Sequence, residues 1–142
     1  LRDFFAGFHR EALRTRAPPH AEQLASKVSA FVARGHAFLW QRAEDGEAVC
    51  MAVVIRESPK AASISGVFTP PSHRRRGYAS RLVATLSDEM LRAGKTACNL
   101  HTDLANATSN GIYAGVGYAK IYEFSLLSLA PPPQAERDGA PI

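Results

Sequence analysis

The chain has 142 residues, 46% of them hydrophobic, which suits one domain built on a single core and requires no cross-links to hold it together. Lys and Arg outnumber Asp and Glu by 17 to 13, a net charge of +4 that favours an anionic ligand without choosing among a nucleotide, a nucleic acid and an acidic protein. The longest unbroken apolar stretch, Ala48 to Ile55, is far too short to span a bilayer, and no basic, apolar, small-residue leader opens the chain, so no membrane role is expected and the cytoplasm is the expected location.

In chain order, Leu1, Phe4, Phe5, Phe8 and Ala12 recur at helical spacing with Arg2, Asp3, Arg10 and Glu11 between them, which predicts a short amphipathic helix ended by Arg16-Ala17-Pro18-Pro19. A second helix is expected from about Pro19 to Arg34, with Leu24, Val28, Phe31 and Val32 on one face and Gly35 as its stop. From His36 the pattern turns to β. Phe38-Leu39-Trp40 leads through the hairpin signal Asp45-Gly46 to Ala48–Ile55, a strand apolar on both faces, and Ser58-Pro59-Lys60 turns the chain into a third strand from about Ala62 to Thr69. Pro70-Pro71 prevents that strand from continuing its ladder. Cys50 and Cys98 both fall within expected strands and read as small buried hydrophobes, not as a bridge or a nucleophile.

Thr69-Pro-Pro-Ser-His-Arg-Arg-Arg-Gly-Tyr-Ala-Ser80 then joins the third strand to a helix whose apolar side is Ala79, Leu82, Val83, Leu86, Met90 and Ala93, closed by Gly94. A strand, a tight basic turn and a helix N-terminus aim unpaired N–H groups and a partial positive charge at one spot, which is a cradle for a diphosphate. Gly77 lets main chain approach phosphate oxygens, and Ala79 is the next smallest choice. Thr96 to Thr102 predicts a strand parallel to the one before the helix, which places the cradle at the carboxyl end of a strand in a βαβ unit. A helix from about Ala107 to Val116 is weakened by Gly111 and Gly115. Ile121 to Leu129 predicts a last, antiparallel strand, and Pro131-Pro132-Pro133 opens a mobile tail.

Arg74-x-x-Gly77-x-Ala79, preceded by Thr69-x-Pro71, resembles the acetyl-CoA loop of the GNAT superfamily of N-acetyltransferases. A second block, Asn106-x-x-Ser109-Asn110-x-Ile112-Tyr113-x-x-x-Gly117-Tyr118, is similar to that family's later helix and follows the strand end Leu100-His101-Thr102-Asp103. The resemblance covers roughly residues 36 to 127. It implies an α/β GNAT fold: a central mixed sheet flanked by helices, with a V-shaped splay between two parallel strands. It divides the chain into a helical segment at 1–35 that packs on the sheet, an acetyl-CoA-binding core at 36–130 and a Pro-rich tail at 131–142, all within one domain. It also normally includes a first β-strand that this sequence lacks. A domain cut from a longer chain is therefore expected, with a second copy or an upstream segment covering the exposed sheet edge.

By the same resemblance, the chain takes acetyl-CoA as acyl donor and a primary amine as acceptor, with no metal required. The thioester arm pairs with main chain at Val67, Phe68 and Thr69. The diphosphate rests on the loop from Arg74 through Arg75, Arg76, Gly77, Tyr78 and Ala79 to Ser80. Asn106 and Ser109 bond the pantetheine arm or cap their helix, and Tyr113 is the general acid that protonates the departing thiolate. Each assignment has a plainer alternative: Tyr113 as a core aromatic, Arg74 as a structural prop, Arg75 and Arg76 as solvated loop charges, and His73 as a solvated loop side chain. No acid lies in residues 61 to 69, where many relatives carry a general base, so a water chain or an already neutral substrate is expected in its place, and the sequence does not rank His101, Asp103 and Glu123 as candidate bases. A domain that senses CoA without turnover stays open on that ground. A nucleic-acid-binding module is disfavoured, since three adjacent arginines are a short basic run with no aromatic platform. No His or carboxylate pair has metal-ligand spacing, and no Gly-x-Ser-x-Gly hydrolase motif occurs. The acceptor is read by residues before 60 and after 118, where no motif identifies it.

Overall fold

One strand, Ala48–Glu57 (β2), divides the core into two layers, because its side chains alternate and both faces are apolar. Cys50, Ala52 and Val54 join one buried cluster, and Met51 and Val53 join the other. The computed structural model describes residues 1–12 and 21–125, with the side chain of Ala12 excepted. The turn expected at Arg16–Pro19 and the tail at 131–142 lie outside the described residues.

Ala37–Gln41 (β1) pairs antiparallel with β2, β2 pairs antiparallel with Ala61–Phe68 (β3), and β3 pairs parallel with Ala97–Leu100 (β4), giving a mixed sheet in the order β1-β2-β3-β4. Two helices, Arg2–Ala12 (α1) and Ala21–Ala33 (α2), cover the face of Met51, Val53 and Phe68 with Phe5, Val28 and flanking aromatics. Tyr78–Arg92 (α3) covers the opposite face, setting Leu82 and Leu86 against Cys50, Ala52, Ala62 and Ile64. Ala107–Val116 (α4) packs beside α3.

The hairpin between β1 and β2 is wider than a two-residue turn. Arg42 N donates to the Glu47 carbonyl and Gly46 N to that of Arg42, so four residues close the loop, with Gly46 at φ 71°. The Arg42 guanidinium pairs with both Asp45 and Glu47 there. Gly35 ends α2 as expected: its φ is 67°, and His36 N bonds back to the Phe31 carbonyl at 2.9 Å.

Two departures from the sequence reading shape the ligand side of the sheet. Between the pairs Met51–Phe68 and Val53–Ser65, β3 carries one more residue than β2, a bulge centred on Gly66 at φ 61°. The extra residue resets the alternation, so Val67 packs toward α3 and Phe68 toward α1 and α2. Second, the last strand expected over 121–129 does not form in its described part: residues 121–125 are not in a strand, and 126–129 lie outside the described residues. Ile121 is 78% exposed and Phe124 60%, so the alternating apolar pattern there has no sheet neighbour to bury it among the described residues.

Candidate active site

β3 and β4 stay paired only from Ala61–Ala97 to Ile64–Leu100. Beyond that pair β4 ends, while β3 runs on to Phe68, leaving the β4-side edge of residues 65 to 68 open. This is the splay that the resemblance implies. The bulge at Gly66 falls within the open stretch and turns its main chain. An isolated Gly inside a strand pattern is the sequence signal that points to such a bulge.

At the carboxyl end of β3, Pro70 starts a single 3-10 turn, Pro71–His73, and the loop enters α3 at Gly77. Arg75 is the one non-glycine residue with positive φ among the described residues, at 60°, and Gly77 follows at 78°. Two left-handed residues so close together curl successive N–H groups toward a common centre, the geometry of an anion nest. Among the described residues, no hydrogen bond is made by the N–H groups from Arg75 through Ser80, whereas Arg81 N already bonds to the Gly77 carbonyl inside the helix. A Cβ added at Gly77 would meet nothing within 4 Å, so the turn itself is not packed against other atoms. A diphosphate fits this donor set in charge and in hydrogen-bonding sense.

The three loop arginines do different things. Arg75 and Arg76 are exposed. Arg74 instead turns toward α1: its Nε donates to the Thr69 carbonyl at 2.9 Å, its Nη2 meets Glu11 Oε2 at 2.5 Å, and its guanidinium lies 5.8 Å from the centre of the Phe68 ring. In this geometry Arg74 is the prop of the alternative reading, tying the loop to the first helix. Glu11, which no motif marks, is its partner. His73 is mostly buried, with Nε2 3.4 Å from Glu47 Oε1 in the β1–β2 hairpin and Nδ1 without a hydrogen-bond partner among the described residues. It is therefore not the solvated loop side chain that the sequence suggests.

α4 forms despite its glycines because both ends are capped. Asn106 Oδ1 accepts from Ser109 N at 3.0 Å, Gly117 takes φ 109°, and Tyr118 N bonds the Tyr113 carbonyl at 2.9 Å. Of the two roles open to Asn106, the cap is the one seen. This fixes Tyr113 on α4, beside α3, with its ring centre 6.2 Å from that of Tyr118, whose hydroxyl bonds Ser87 Oγ at 2.7 Å. Burial pushes the Tyr113 hydroxyl up to about 12, with the neighbouring Tyr118 and Cys50 adding to the effect and Ser109 opposing it. Cys50 is fully buried, accepts a hydrogen bond from Thr69 Oγ1 at 3.2 Å, and has its thiol raised chiefly by desolvation, so it remains an uncharged core residue as expected. Cys98 is only partly buried, and its thiol is raised for the same reason.

The three unranked base candidates also separate. Asp103 Oδ1 accepts from Ala105 N at 2.9 Å and Glu123 pairs with Lys120 at 2.6 Å, whereas the Nε2 of His101 shares a hydrogen bond with the Tyr122 hydroxyl at 3.0 Å. No group of three or more His, Cys, Asp or Glu residues is arranged to hold a metal ion among the described residues, nor is any described helix long and apolar enough to cross a membrane.

This arrangement, with a loop of unpaired N–H groups at a helix N-terminus and an open strand edge leading into it, is that of an acyl-CoA-binding fold, and the comparisons with known proteins agree. Residues 2–118 match the sequence profile described as the Acetyltransferase (GNAT) family, and the chain belongs to that family. It is 33% identical over 64 residues to an aminoglycoside N(6')-acetyltransferase type 1 from Serratia marcescens, a match covering 45% of this chain and 44% of that protein. The fold is similar to that of AAC(6')-Iy in complex with the bisubstrate analogue CoA-S-monomethyl-acetylneamine, with TM-score 0.67, 17% identity, and 92% of each chain covered. It is also similar to an acetyltransferase from Trypanosoma brucei, with TM-score 0.62, 21% identity, and 91% of this chain and 96% of that one covered.

Proposed function

We propose that the chain binds acetyl-CoA in the α3 cradle and transfers the acetyl group directly to a primary amine. The observation that carries this reading is the run of unpaired N–H groups from Arg75 to Ser80, set at the end of a strand whose edge opens beyond Ile64. In this reading those N–H groups hold the diphosphate, with Arg75 and Arg76 adding charge, Arg74 bracing the loop from the α1 side, and Tyr78 and Ala79 giving the helix its first turn. Main chain at Val67, Phe68 and Thr69 aligns the thioester arm along the free edge of β3, and Ser109 lies beside it on the first turn of α4. Tyr113 donates its proton to the sulfur as the C–S bond breaks; a hydroxyl raised to about 12 holds that proton throughout the neutral range.

The 33% match to an aminoglycoside acetyltransferase makes an aminoglycoside the first acceptor to test. Residues 1–35 would cover the sheet within the same domain as the core at 36–130. Because β1 lies at the sheet edge, a second copy or residues upstream of Leu1 would extend it. We place the reaction in the cytoplasm, where acetyl-CoA is available. The test is release of free CoA thiol from acetyl-CoA in the presence of kanamycin, spermidine and a peptide with a free N-terminus. Thiol release with one of them is expected, and heat on titrating acetyl-CoA with no thiol release from any of them would overturn the transferase reading.

A further inference from the structure

We infer that His101, hydrogen-bonded to Tyr122, takes the proton from the acceptor ammonium, on a polar strip of the sheet that no described helix covers. The inference rests on the transferase reading above and assigns its missing base.

The position follows from register. An acyl arm running down the open edge of β3 from the α3 loop stops where β3 and β4 close together, at the pair Ile64–Leu100. His101 is the next residue after that pair, at the carboxyl end of β4, where α/β sheets receive their ligands. Cys98 packs toward α3, with its Sγ 3.8 Å from the Ser87 carbonyl. By strand alternation Asn99 faces the other way, and its Oδ1 accepts from Ser63 Oγ across the two strands at 2.7 Å. On that face, the buried cluster under α1 and α2 draws on β2 and the end of β3 but on no residue of β4. Ser63, Asn99 and His101 thus give the end of the sheet a hydrogen-bonding surface, with Tyr122 and Phe124 set against the His101 ring at 6.2 and 5.0 Å between centres. Polar hydroxyl and amide groups beside aromatic faces suit a hydroxylated amine, the ammonium resting against the rings before it is deprotonated.

The charged and titratable groups on the elements around the imidazole are Tyr122, the Lys120–Glu123 pair and Asp103, and each of the two carboxylates already has a partner. An imidazole nitrogen can accept a proton from an ammonium and hand it on to water, which is the chemistry this task needs. With Nε2–H donating to the Tyr122 hydroxyl, the free Nδ1 of His101 takes one proton from the ammonium and passes it to solvent, to which the residue is exposed. The neutral amine forms the C–N bond at the thioester carbonyl, and the C–S bond breaks. The thiolate takes the Tyr113 proton, and the second proton lost from nitrogen restores that phenol.

The test is His101→Gln in the full chain, with the amine that the thiol-release panel identifies and with hydroxylamine, which is already neutral at pH 7. With the protonated amine, kcat/KM should fall by about 10²-fold or more, the deficit should narrow as pH rises and the free amine appears, and added imidazole should restore part of the rate. Hydroxylamine acetylation and acetyl-CoA binding heat should be unchanged. Tyr122→Phe should give a smaller loss of the same kind. An undiminished rate in His101→Gln, or an equal loss with both acceptors, would overturn the assignment while leaving donor binding and transfer by the parent chain intact. If the parent chain binds acetyl-CoA but acetylates no amine, the transferase reading fails and this assignment falls with it.

Discussion

At Tyr113, burial raises the hydroxyl, so the folded chain holds this proton more tightly than the unfolded chain does. The resulting stability is complete below pH 10, the ordinary value of a tyrosine, and is lost as pH rises toward 12. Tyr113 should therefore stay protonated across the working range. Its phenolate absorbance, isolated as the difference between the parent and Tyr113→Phe spectra, should appear only near pH 12. The same substitution should leave acetyl-CoA affinity within about twofold and slow transfer by about 10²-fold or more, read as kcat under saturating donor; equal rates would place the proton donor elsewhere. Gly77 tests the cradle itself. At φ 78° a side chain costs about 1–2 kcal/mol of backbone strain, so Gly77→Val should distort the turn that sets the N–H groups. Acetyl-CoA affinity should drop at least tenfold by calorimetry, and unchanged heat would argue against the nest.

Among the elements, α1 is joined to the donor side of the sheet by one close approach and one ion pair. Gly7 lies so near Phe68 that an added Cβ would sit 2.5 Å from the ring Cζ, well inside contact distance, and Phe68 is itself packed under Phe4 and the Arg74 guanidinium. Gly7→Ala should therefore lever α1 off the end of β3, at a cost of about 1–3 kcal/mol in unfolding free energy, measured by urea denaturation. Because Phe68 leads directly into Thr69 and the loop, the same variant should weaken acetyl-CoA binding. A stability loss with donor affinity unchanged would show that α1 and the cradle move independently. Helix periodicity alone sets Gly7 in line with Asp3 and Glu11, off the apolar face of α1, and nothing in the sequence reveals that an aromatic ring arrives there from a strand about sixty residues away.

For the whole molecule, a ligand that binds only the folded state stabilises it by about 2.7 kcal/mol at a concentration one hundred times its Kd. Saturating acetyl-CoA should accordingly raise the melting temperature by several degrees, read by scanning calorimetry, whereas an oligonucleotide of equal charge should not. The reverse result would favour the basic surface of Arg75 and Arg76 over the N–H nest as the binding feature. The molecule's net charge of +4 serves either ligand, so only this comparison separates them.

The two motif blocks, the order of helices and strands, and the family were legible from sequence because each depends on local chemistry: apolar periods of 3.6 and 2, glycines at left-handed turns, and prolines where ladders stop. The ends of α4 are an instance, since Asn106 and Gly117 mark their caps by residue type alone. The capture of Arg74 by Glu11 and the Tyr122 hydroxyl on His101 were not legible, because each joins residues whose separation along the chain carries no information about their distance in space. The alternating apolar run after Ile121 shows the limit from the other side: a strand pattern needs a neighbour to pair with, and among the described residues 121–125 have none.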